Sequence, residues 1–463
     1  MDQPVTAAPT RAEPVLRRLN RRGFRLLHVA DAAGLAAVTV VTMLVRFGLT
    51  WPTYPVGLYL ASFAITVSIL LTFLYFGGLY EREPRLGAPP VLPRVARQLA
   101  FAGGTVALIN LAATALAREL GISTARALPM PITNLIVLIV VGALVVSLDR
   151  RLVHVVRQRR EGPPRVVLVG TPEDVALARR HLADVAVTAE VVGEANGAAG
   201  LVEVVERERA TDVLVLSNAT LEEVYPEPVS SLTARGLTVL HRVGPLETMF
   251  GLERIREVGG LPFVLLRNQW LPTSRRRAKR LLDLSLLLLA APVWLVVLAA
   301  TALHQSLVAG RPLLFVQERV GREGRTFGMV KFRTMRVGAE EDGRPRLAEV
   351  DDERILPRCR WVRATRLDEL PQLWNVLRGE MSLVGPRPER PELVAGFEAT
   401  IPGYHQRHEV APGMTGLAQV SGRYHTDATY KLGYDLQYLA NWSAVLDLEI
   451  LLRTVAVVLG RRP

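Results

Sequence analysis

The adjacent carboxylates of Asp368 and Glu369 are the sharpest chemical feature of this sequence, because basic segments surround them. Arginine can hold a phosphate through two parallel hydrogen bonds, whereas lysine acts as a point charge. Prolines on both sides of Arg387 restrict its backbone and would preorganise its direction. The composition therefore predicts a site for a phosphorylated substrate. Four cations could bind the phosphate oxygens: Lys331, Arg333, Arg363 and Arg387.

The carboxylate pair itself indicates phosphoryl-transfer chemistry. An aspartate can attack phosphorus and form an acyl phosphate, and Mg²⁺ is usually held by one or two carboxylates together with substrate phosphates. Helix capping is the structural alternative, because Thr365 and Asp368 have the spacing of a capping box. The basic residues could instead contact water or lipid headgroups. The spacing alone leaves these alternatives open.

Two glycine-rich segments follow the basic clusters. Residues 412–416 read PGMTG and residues 421–423 read SGR. Their hydroxyl and cationic groups could bind a nucleotide or a diphosphate, although ordinary tight turns explain the same composition equally well. The residues that could lie on the nucleotide side are Pro412, Gly413, Thr415, Gly416 and Arg423.

Composition indicates a membrane protein with more than one domain. The chain has 463 residues, of which 49% are hydrophobic, and its mean hydropathy is +0.23. The formal net charge of +12 suits nucleic acid, anionic lipid or phosphorylated substrates, and the membrane segments favour the last two. The single Cys359 cannot form an intrachain disulfide, and no Cys/His spacing is typical of a metal site. The first apolar stretch is too long for a cleavable signal peptide.

Four apolar stretches near the N-terminus approach the length of about 20 residues that a bilayer-spanning helix needs. Arginines are frequent before the first stretch, between the second and third, and after the fourth, whereas the other two connections carry few or none. By the positive-inside rule, both ends of this predicted four-helix bundle are cytoplasmic. The stretches cover residues 27–48, 56–76, 99–116 and 132–148, and the third is the weakest.

A soluble α/β domain is predicted after the four apolar stretches. Short apolar strand patterns alternate with helical segments there, which predicts a parallel, Rossmann-like sheet. The first turn, from Gly170 to Asp174, lacks the pattern GxGxxG. A dinucleotide site is therefore doubtful, and we predict a structural or regulatory domain. The strand patterns cover residues 165–170, 212–217, 237–240 and 263–266.

A fifth apolar stretch, Leu281–Leu303, differs from the others because both of its flanks are strongly basic. The positive-inside rule then places both flanks on the cytoplasmic side. Pro292 lies in the middle of the stretch, and proline breaks or bends a helix because it lacks a backbone donor. We predict a re-entrant helix that enters one leaflet and returns. The alternative is a kinked fifth span, which would place all later residues outside the cell.

At these motifs the sequence resembles the bacterial sugar transferase family of monotopic phosphoglycosyl transferases. The resemblance covers about residues 279–459, some two-fifths of the chain, with several motifs in the same order. The predicted spans and the degenerate nucleotide fold resemble the large members of that family. The motifs are KRLLD (279–283), QERVG (317–321), KFRTM (331–335), LDELPQLWNVLRGEMSLVGPRP (367–388) and PGMTGLAQVSGR (412–423).

The predicted fold class is thus a membrane α-helical bundle combined with α/β domains. The C-terminal α/β domain is the catalytic one and carries the re-entrant helix. The predicted segments are a basic cytoplasmic N-terminus (1–26), four transmembrane helices (27–150), a Rossmann-like cytoplasmic domain (163–268) and the catalytic domain (275–463) with its re-entrant helix (281–303).

The resemblance also implies roles for individual residues. Asp368 would be the nucleophile on the β-phosphate of a UDP-sugar and would hold Mg²⁺, and Glu369 would assist the second step as general base. The segment 412–423 would form the uridine side. Family members often carry Ser-Pro at the break in the membrane helix, where this chain has Ala291 and Pro292. Positions associated with phosphate binding are Lys331, Arg363 and Arg387.

The activity implied by the resemblance is transfer of a hexose-1-phosphate, from UDP-glucose or UDP-galactose, to undecaprenyl phosphate with release of UMP. This reaction would prime exopolysaccharide, capsule or O-antigen synthesis at the cytoplasmic face of the bacterial inner membrane. A homodimer is expected from the large members alone. The partners would be the UDP-sugar, the lipid phosphate and the bilayer, without nucleic acid.

Two other functions fit parts of the sequence. A membrane-anchored nucleotide-sugar dehydratase or epimerase would need GxGxxG and a Tyr-x-x-x-Lys pair, and none of the three lysines has a tyrosine four residues earlier. A catalytically inactive scaffold for polysaccharide export would not need the intact pair of Asp368 and Glu369. The sequence favours the transferase over both.

Overall fold

The computed structural model describes residues 15–49, 56–81, 84–119, 121, 130–184, 189–244, 255–266, 271–339, 352–421, 427–458 and 460. The chain divides into two compact units, Met1–Leu266 and Arg267–Pro463. The first unit contains apolar helices and a sheet, and the second contains the carboxylate pair and its cations.

Four long helices open the first unit, and each is long and apolar enough to cross a membrane. The third is longer than its predicted 18 residues because the helix begins at Val91 and ends at Glu119, with Gly103 in its interior. A Cβ on Gly103 would approach Ile139 of the fourth helix to 2.2 Å, so this glycine permits close helix packing. The helices are α1 (Val15–Phe47), α2 (Val56–Phe76), α3 (Val91–Glu119) and α4 (Ile132–Glu161).

A buried polar network joins these helices near one end. Arg150 of α4 donates hydrogen bonds of 2.7 and 2.8 Å to the two carboxylate oxygens of Asp31 on α1. The hydroxyl of Tyr80, just after α2, donates to the same carboxylate at 2.6 Å. Because Asp31 is fully buried, these partners satisfy a group whose isolated burial would be costly.

The rest of the first unit is an α/β domain around a six-stranded sheet of order β2-β1-β3-β4-β6-β5. Contacts between the sheet and its helices form two apolar cores that contain the fully buried Val167 and Leu214. The strands are β1 (Arg165–Val169), β2 (Glu190–Ala195), β3 (Asp212–Val215), β4 (Thr238–Arg242), β5 (Arg256–Val258) and β6 (Leu261–Leu266). The helices are α5 (Pro172–Asp184), α6 (Leu201–Arg207), α7 (Asn218–Val224) and α8 (Val229–Ala234).

The prediction of a parallel sheet is wrong for strand β6. Strands β2, β1, β3 and β4 are parallel, but β6 is antiparallel to both β4 and β5. Gly259 and Gly260, both with positive φ, join β5 to β6. A two-residue turn of this kind makes a hairpin, which reverses the chain direction.

The N-terminus of α5, where a dinucleotide pyrophosphate would bind in a Rossmann fold, carries a carboxylate. Asp174 accepts a hydrogen bond from the Thr171 hydroxyl at 2.8 Å and pairs with Arg242 at 3.0 Å. An anion at this helix end would meet the Asp174 charge. Both these contacts and the sequence without GxGxxG disfavour a pyrophosphate at this helix end.

The second unit packs small sheets between helices. One buried core joins Leu287 of its first helix, Met329 of strand β8 (Thr326–Phe332) and Val376 of helix α12 (Gln372–Arg378). Strands β7 (Leu314–Val320) and β8 (Thr326–Phe332) form an antiparallel hairpin, and β9 (Ser382–Val384) and β10 (Gly413–Thr415) form a parallel pair. The helices are α9 (Thr273–Leu289), α10 (Ala291–Val308), α11 (Arg360–Ala364), α12 (Gln372–Arg378), α13 (Pro391–Thr400), α14 (Leu417–Ser421), α15 (Ala428–Asn441) and α16 (Ala444–Val458).

Helices α9 and α10 divide the fifth apolar stretch at Ala290, two residues before Pro292. Proline fits the start of a helix because its missing N–H has no partner to lose there. The indole N–H of Trp294 donates to the Leu287 carbonyl at 2.9 Å, which is a contact across the break. Leu289 and Val293 beside the break are 81% and 69% exposed, so apolar surface is concentrated at this point.

Candidate functional site

The carboxylate pair lies in a single 3-10 turn, Leu367–Glu369, between α11 and α12. Arg366, just before it, has a left-handed backbone (φ 56°), a conformation that is strained for a residue with a side chain. The Thr365 hydroxyl donates back to the Trp361 carbonyl at 2.8 Å. The capping-box alternative is therefore wrong, because Thr365 terminates α11 instead of capping the next helix.

Three cations surround the carboxylate of Glu369. Its Oε1 atom lies 3.3 Å from Nη2 of Arg387, 3.6 Å from Nζ of Lys331 and 3.8 Å from Nη1 of Arg366. Burial alone would raise the pKa of Glu369, but Arg387, Lys331 and Arg366 together outweigh burial and lower this pKa to about 2. Glu369 is thus ionised at neutral pH and lies close to cations from three segments.

Asp368 has a different environment from its neighbour. No described residue forms an ion pair with it within 4 Å, although it is only 8% exposed. Burial and the adjacent charge of Glu369 raise the pKa of Asp368 to about 6, while Lys331 and Arg363 oppose the rise. At neutral pH this carboxylate is ionised and available to a ligand.

Lys331 reaches the pair from strand β8. Burial lowers its pKa to about 8, in spite of the attraction of Glu369, so the ammonium remains mostly protonated at pH 7. Asn375 of α12 fixes this strand: its side chain accepts from the Val330 N–H at 3.1 Å and donates to the Gly328 carbonyl at 2.8 Å. Helix α12, which follows the carboxylates, is thereby hydrogen-bonded to β8, the strand that carries Lys331.

Arg333 binds backbone carbonyls. Its guanidinium donates to the carbonyls of Pro312 at 2.8 Å and Met335 at 3.2 Å, and also to those of Ala309 and Gly310. These bonds hold the segment that follows α10 and occupy the donors predicted to bind phosphate. Because β8 ends at Phe332, the alternation that would have placed Arg333 beside Lys331 does not continue.

The other predicted cations occupy two different positions. Arg363 lies half-buried on α11, and its charge acts on Asp368 without a close ion pair. Arg387 lies in the loop after β9 and contacts Glu369 directly.

Arg366 and Asn375 were missed by the sequence analysis. Arg366 directly precedes the LDE motif, and Asn375 is the one polar residue in the run LWNVL, which is the signal that could have revealed it.

The glycine-rich segment 412–416 supports the Arg387 loop. A Cβ on Gly413 would lie 2.1 Å from the Gly385 nitrogen, and one on Gly416 would lie 2.2 Å from the Gly385 oxygen. The Pro412 carbonyl accepts from Ser382 N–H at 2.8 Å, and the Thr415 hydroxyl bonds to Thr454 at 2.7 Å. These glycines are needed for close backbone packing.

Two nucleotide-side candidates also line small clefts. Gly413 lines one together with Gln372 and Arg387, and Pro412 lines another together with Arg387 and Arg407. Arg423, the last of these candidates, lies outside the described residues. The structure thus gathers Asp368, Glu369, Lys331 and Arg387, with Gly413 beside Arg387.

Comparison with known proteins identifies the family. Residues 274–461 match the family of bacterial sugar transferases. A UDP-glucose:undecaprenyl-phosphate glucose-1-phosphate transferase of Caulobacter vibrioides is 42% identical over 188 residues, which are 39% of this chain and 69% of that protein. The chain belongs to the bacterial sugar transferase family. All residues of the carboxylate site lie within the matched segment.

Two further bacterial proteins are similar to this chain. A UDP-N-acetylgalactosamine-undecaprenyl-phosphate N-acetylgalactosaminephosphotransferase of Aeromonas hydrophila is 39% identical over 184 residues, 39% of this chain and 43% of that protein. A UDP-glucose:undecaprenyl-phosphate glucose-1-phosphate transferase of Klebsiella pneumoniae is 38% identical over 236 residues, 49% of this chain and 50% of that protein. The match thus spans half or less of these two relatives, and their names differ in the sugar.

Proposed function

We propose that this protein transfers a hexose-1-phosphate, with glucose or galactose as the sugar, from a UDP-sugar to undecaprenyl phosphate and releases UMP. The observation that carries the proposal is the difference between the environments of the two adjacent carboxylates. Glu369 is neutralised by three cations, whereas Asp368 beside it has no such partner among the described residues. The names of the relatives support the same substrate classes.

In the first step, a carboxylate oxygen of Asp368 attacks the β-phosphorus of the UDP-sugar. The bond from that phosphorus to the bridging oxygen breaks, and UMP leaves with the electron pair. The product is a sugar-phosphoryl aspartate. Lys331 and Arg387 would bind phosphate oxygens and offset the negative charge that accumulates there.

In the second step, a phosphate oxygen of undecaprenyl phosphate attacks the same phosphorus, and the Asp368 carboxylate leaves. The low pKa of Glu369 makes it a poor proton acceptor, and a lipid phosphate is already largely ionised at neutral pH. We therefore assign Glu369 the task of holding Arg387, Lys331 and Arg366 in place, rather than the role of general base.

Mg²⁺ fits this site only as an ion shared with the substrate. No group of three His, Cys, Asp or Glu side chains among the described residues could hold a metal by itself. Mg²⁺ commonly takes one or two carboxylates and completes its coordination with substrate phosphates and water. Asp368 would be the protein ligand, and the bound ion would neutralise diphosphate charge.

The proposal includes a re-entrant path for α9 and α10. Asp283 of α9 accepts from the Ser382 hydroxyl at 2.7 Å, and Gln305 of α10 accepts from the Cys359 thiol at 3.3 Å, so residues on both sides of the break bind the same compact unit. A straight helix would separate Asp283 and Gln305 by about 33 Å. The apolar side chains exposed at the break would enter one leaflet, and the carboxylate site would stay on the cytoplasmic face.

The remaining parts of the proposed architecture follow from sequence and helix length. Helices α1–α4 would span the inner membrane, and the α/β domain would be a Rossmann-like cytoplasmic module without a dinucleotide. Transfer of the first sugar to the lipid carrier would prime polysaccharide synthesis.

Release of UMP from a panel of UDP-sugars in the presence of undecaprenyl phosphate tests the reaction. We expect turnover with UDP-glucose or UDP-galactose, and incubation with donor alone should add the mass of a hexose phosphate to the protein. Asp368→Asn should abolish both signals. Asp427→Asn is the matched control, because Asp427 caps α15 and asparagine caps equally well. Full activity of Asp368→Asn would exclude Asp368 as the nucleophile, whereas absence of turnover in the native protein with every donor would favour a catalytically inactive scaffold.

A further inference from the structure

The loop that carries Arg387 has no helix or strand of its own, because residues 385–390 lie between β9 and α13. Its backbone is instead held by side chains from distant segments. We propose that Arg407, held by Asp435, is a positioning residue for Arg387 in the transfer reaction. This inference rests on the proposed function, since Arg387 is assigned there to the substrate phosphate.

Arg407 is buried directly behind the loop. Its Nη2 atom donates to the Arg387 carbonyl at 3.0 Å and lies 2.8 Å from a carboxylate oxygen of Asp435 on α15. Its Nη1 atom donates to the Tyr404 hydroxyl. The side chains of Arg407 and Asp435 are 4% and 3% exposed, so neither of them reaches a substrate from solvent.

A second arginine holds the next residue of the loop. Arg319 of β7 donates to the Pro388 carbonyl at 3.1 Å, and the Val320 N–H donates to the Glu389 carbonyl at 2.9 Å. Three successive carbonyls of the loop are therefore bound. Because prolines flank Arg387, the loop backbone has little conformational freedom. Hydrogen bonds to its carbonyls therefore fix the position of the Arg387 Cα atom, from which the side chain extends.

The consequence of this support is catalytic rather than merely structural. Arg387 Nη2 lies 3.3 Å from Glu369, so a small shift of the loop would separate the guanidinium from the carboxylates. Misplacement by about 1 Å can reduce a reaction rate on the order of 10²-fold. Arg407 would thus act on turnover through Arg387 without touching the substrate.

A double-mutant cycle tests the inference. The paired change Arg407→Met with Asp435→Leu removes both charges, so that no buried ion loses its partner. We expect it to lower kcat for UMP release on the order of 10²-fold in the otherwise native protein. In the Arg387→Met background the same pair should lower kcat by less than about twofold, because the group that it positions is absent.

A purely structural role would give the same factor in both backgrounds and would overturn the inference. Arg280→Met is the matched control, because Arg280 also donates to two backbone carbonyls, those of Val376 and Leu377. The factors by which Arg280→Met and Arg387→Met each lower kcat should multiply in the variant that carries both changes. If the paired variant does not fold, Asp435→Asn enters the same cycle with nearly unchanged volume. Absence of turnover in the native protein would contradict the proposed function, whereas equal factors in an active protein contradict only the positioning role.

Discussion

Asp368 and Glu369 are neighbours in the chain, yet their pKa values are shifted in opposite directions. Burial raises both pKa values, but Arg387, Lys331 and Arg366 lie within 4 Å of the Glu369 carboxylate and lower its pKa. Asp368 mainly experiences burial and the negative charge of Glu369. A pair of carboxylates in such different surroundings is typical of catalytic sites with divided roles. One residue organises cations and the other is available for chemistry.

The pH dependence of UMP release should reflect Asp368 and Lys331. As the pH falls through about 6, Asp368 becomes protonated and can no longer attack phosphorus, so kcat/KM should decrease. As the pH rises through about 8, Lys331 loses its proton and binds phosphate less well, so kcat/KM should decrease again. A pH–rate profile of the native protein measures both limbs.

Lys331→Arg is the control for this profile. Arginine stays charged throughout the accessible range, so the alkaline limb should disappear while the acidic limb remains. An alkaline limb that persists in this variant would exclude Lys331 as its origin. The expected acidic limb has a definite sign: an activity that increases below pH 6 would mean that Asp368 does not act as a carboxylate.

At the scale of elements, the sequence predicted which motifs matter better than where each side chain lies. Lys331 and Arg333 are two residues apart in one motif, but the end of β8 separates their environments. Asn375 connects α12 to β8 through hydrogen bonds that no local pattern specifies. Such contacts depend on tertiary packing, which propensity and periodicity do not determine.

Replacing Arg333 separates structural from substrate-binding cations. Arg333→Met leaves four backbone carbonyls without their donor, and we expect a loss of about 2 kcal/mol or more in stability. Thermal unfolding in detergent measures this loss. KM for the UDP-sugar should stay within about twofold of native, whereas Arg387→Met should impair transfer strongly. A raised KM for Arg333→Met with native stability would restore the phosphate-binding prediction.

At the scale of the whole chain, the positions of the apolar stretches predicted four N-terminal helices long enough to cross a membrane, and among the described residues α10 is a fifth helix of that length and hydropathy. The division of the fifth stretch was also predictable, because proline has a specific effect on helices. The antiparallel direction of β6 was not predicted, since it depends on the turn at Gly259 and Gly260 rather than on the composition of the strand. The membrane orientation of the carboxylate site remains a prediction from charge.

Cysteine labelling tests that orientation. In a Cys359→Ser background, Glu119→Cys at the end of α3 and Arg322→Cys in the β7–β8 turn place thiols at exposed positions. In intact spheroplasts, a membrane-impermeant maleimide should label Glu119→Cys, whereas Arg322→Cys should react only after lysis, because both basic flanks of the α9–α10 pair stay in the cytoplasm. Labelling of Arg322→Cys in intact spheroplasts would mean that α9 and α10 cross the bilayer, and cytoplasmic UDP-sugars could not then reach Asp368.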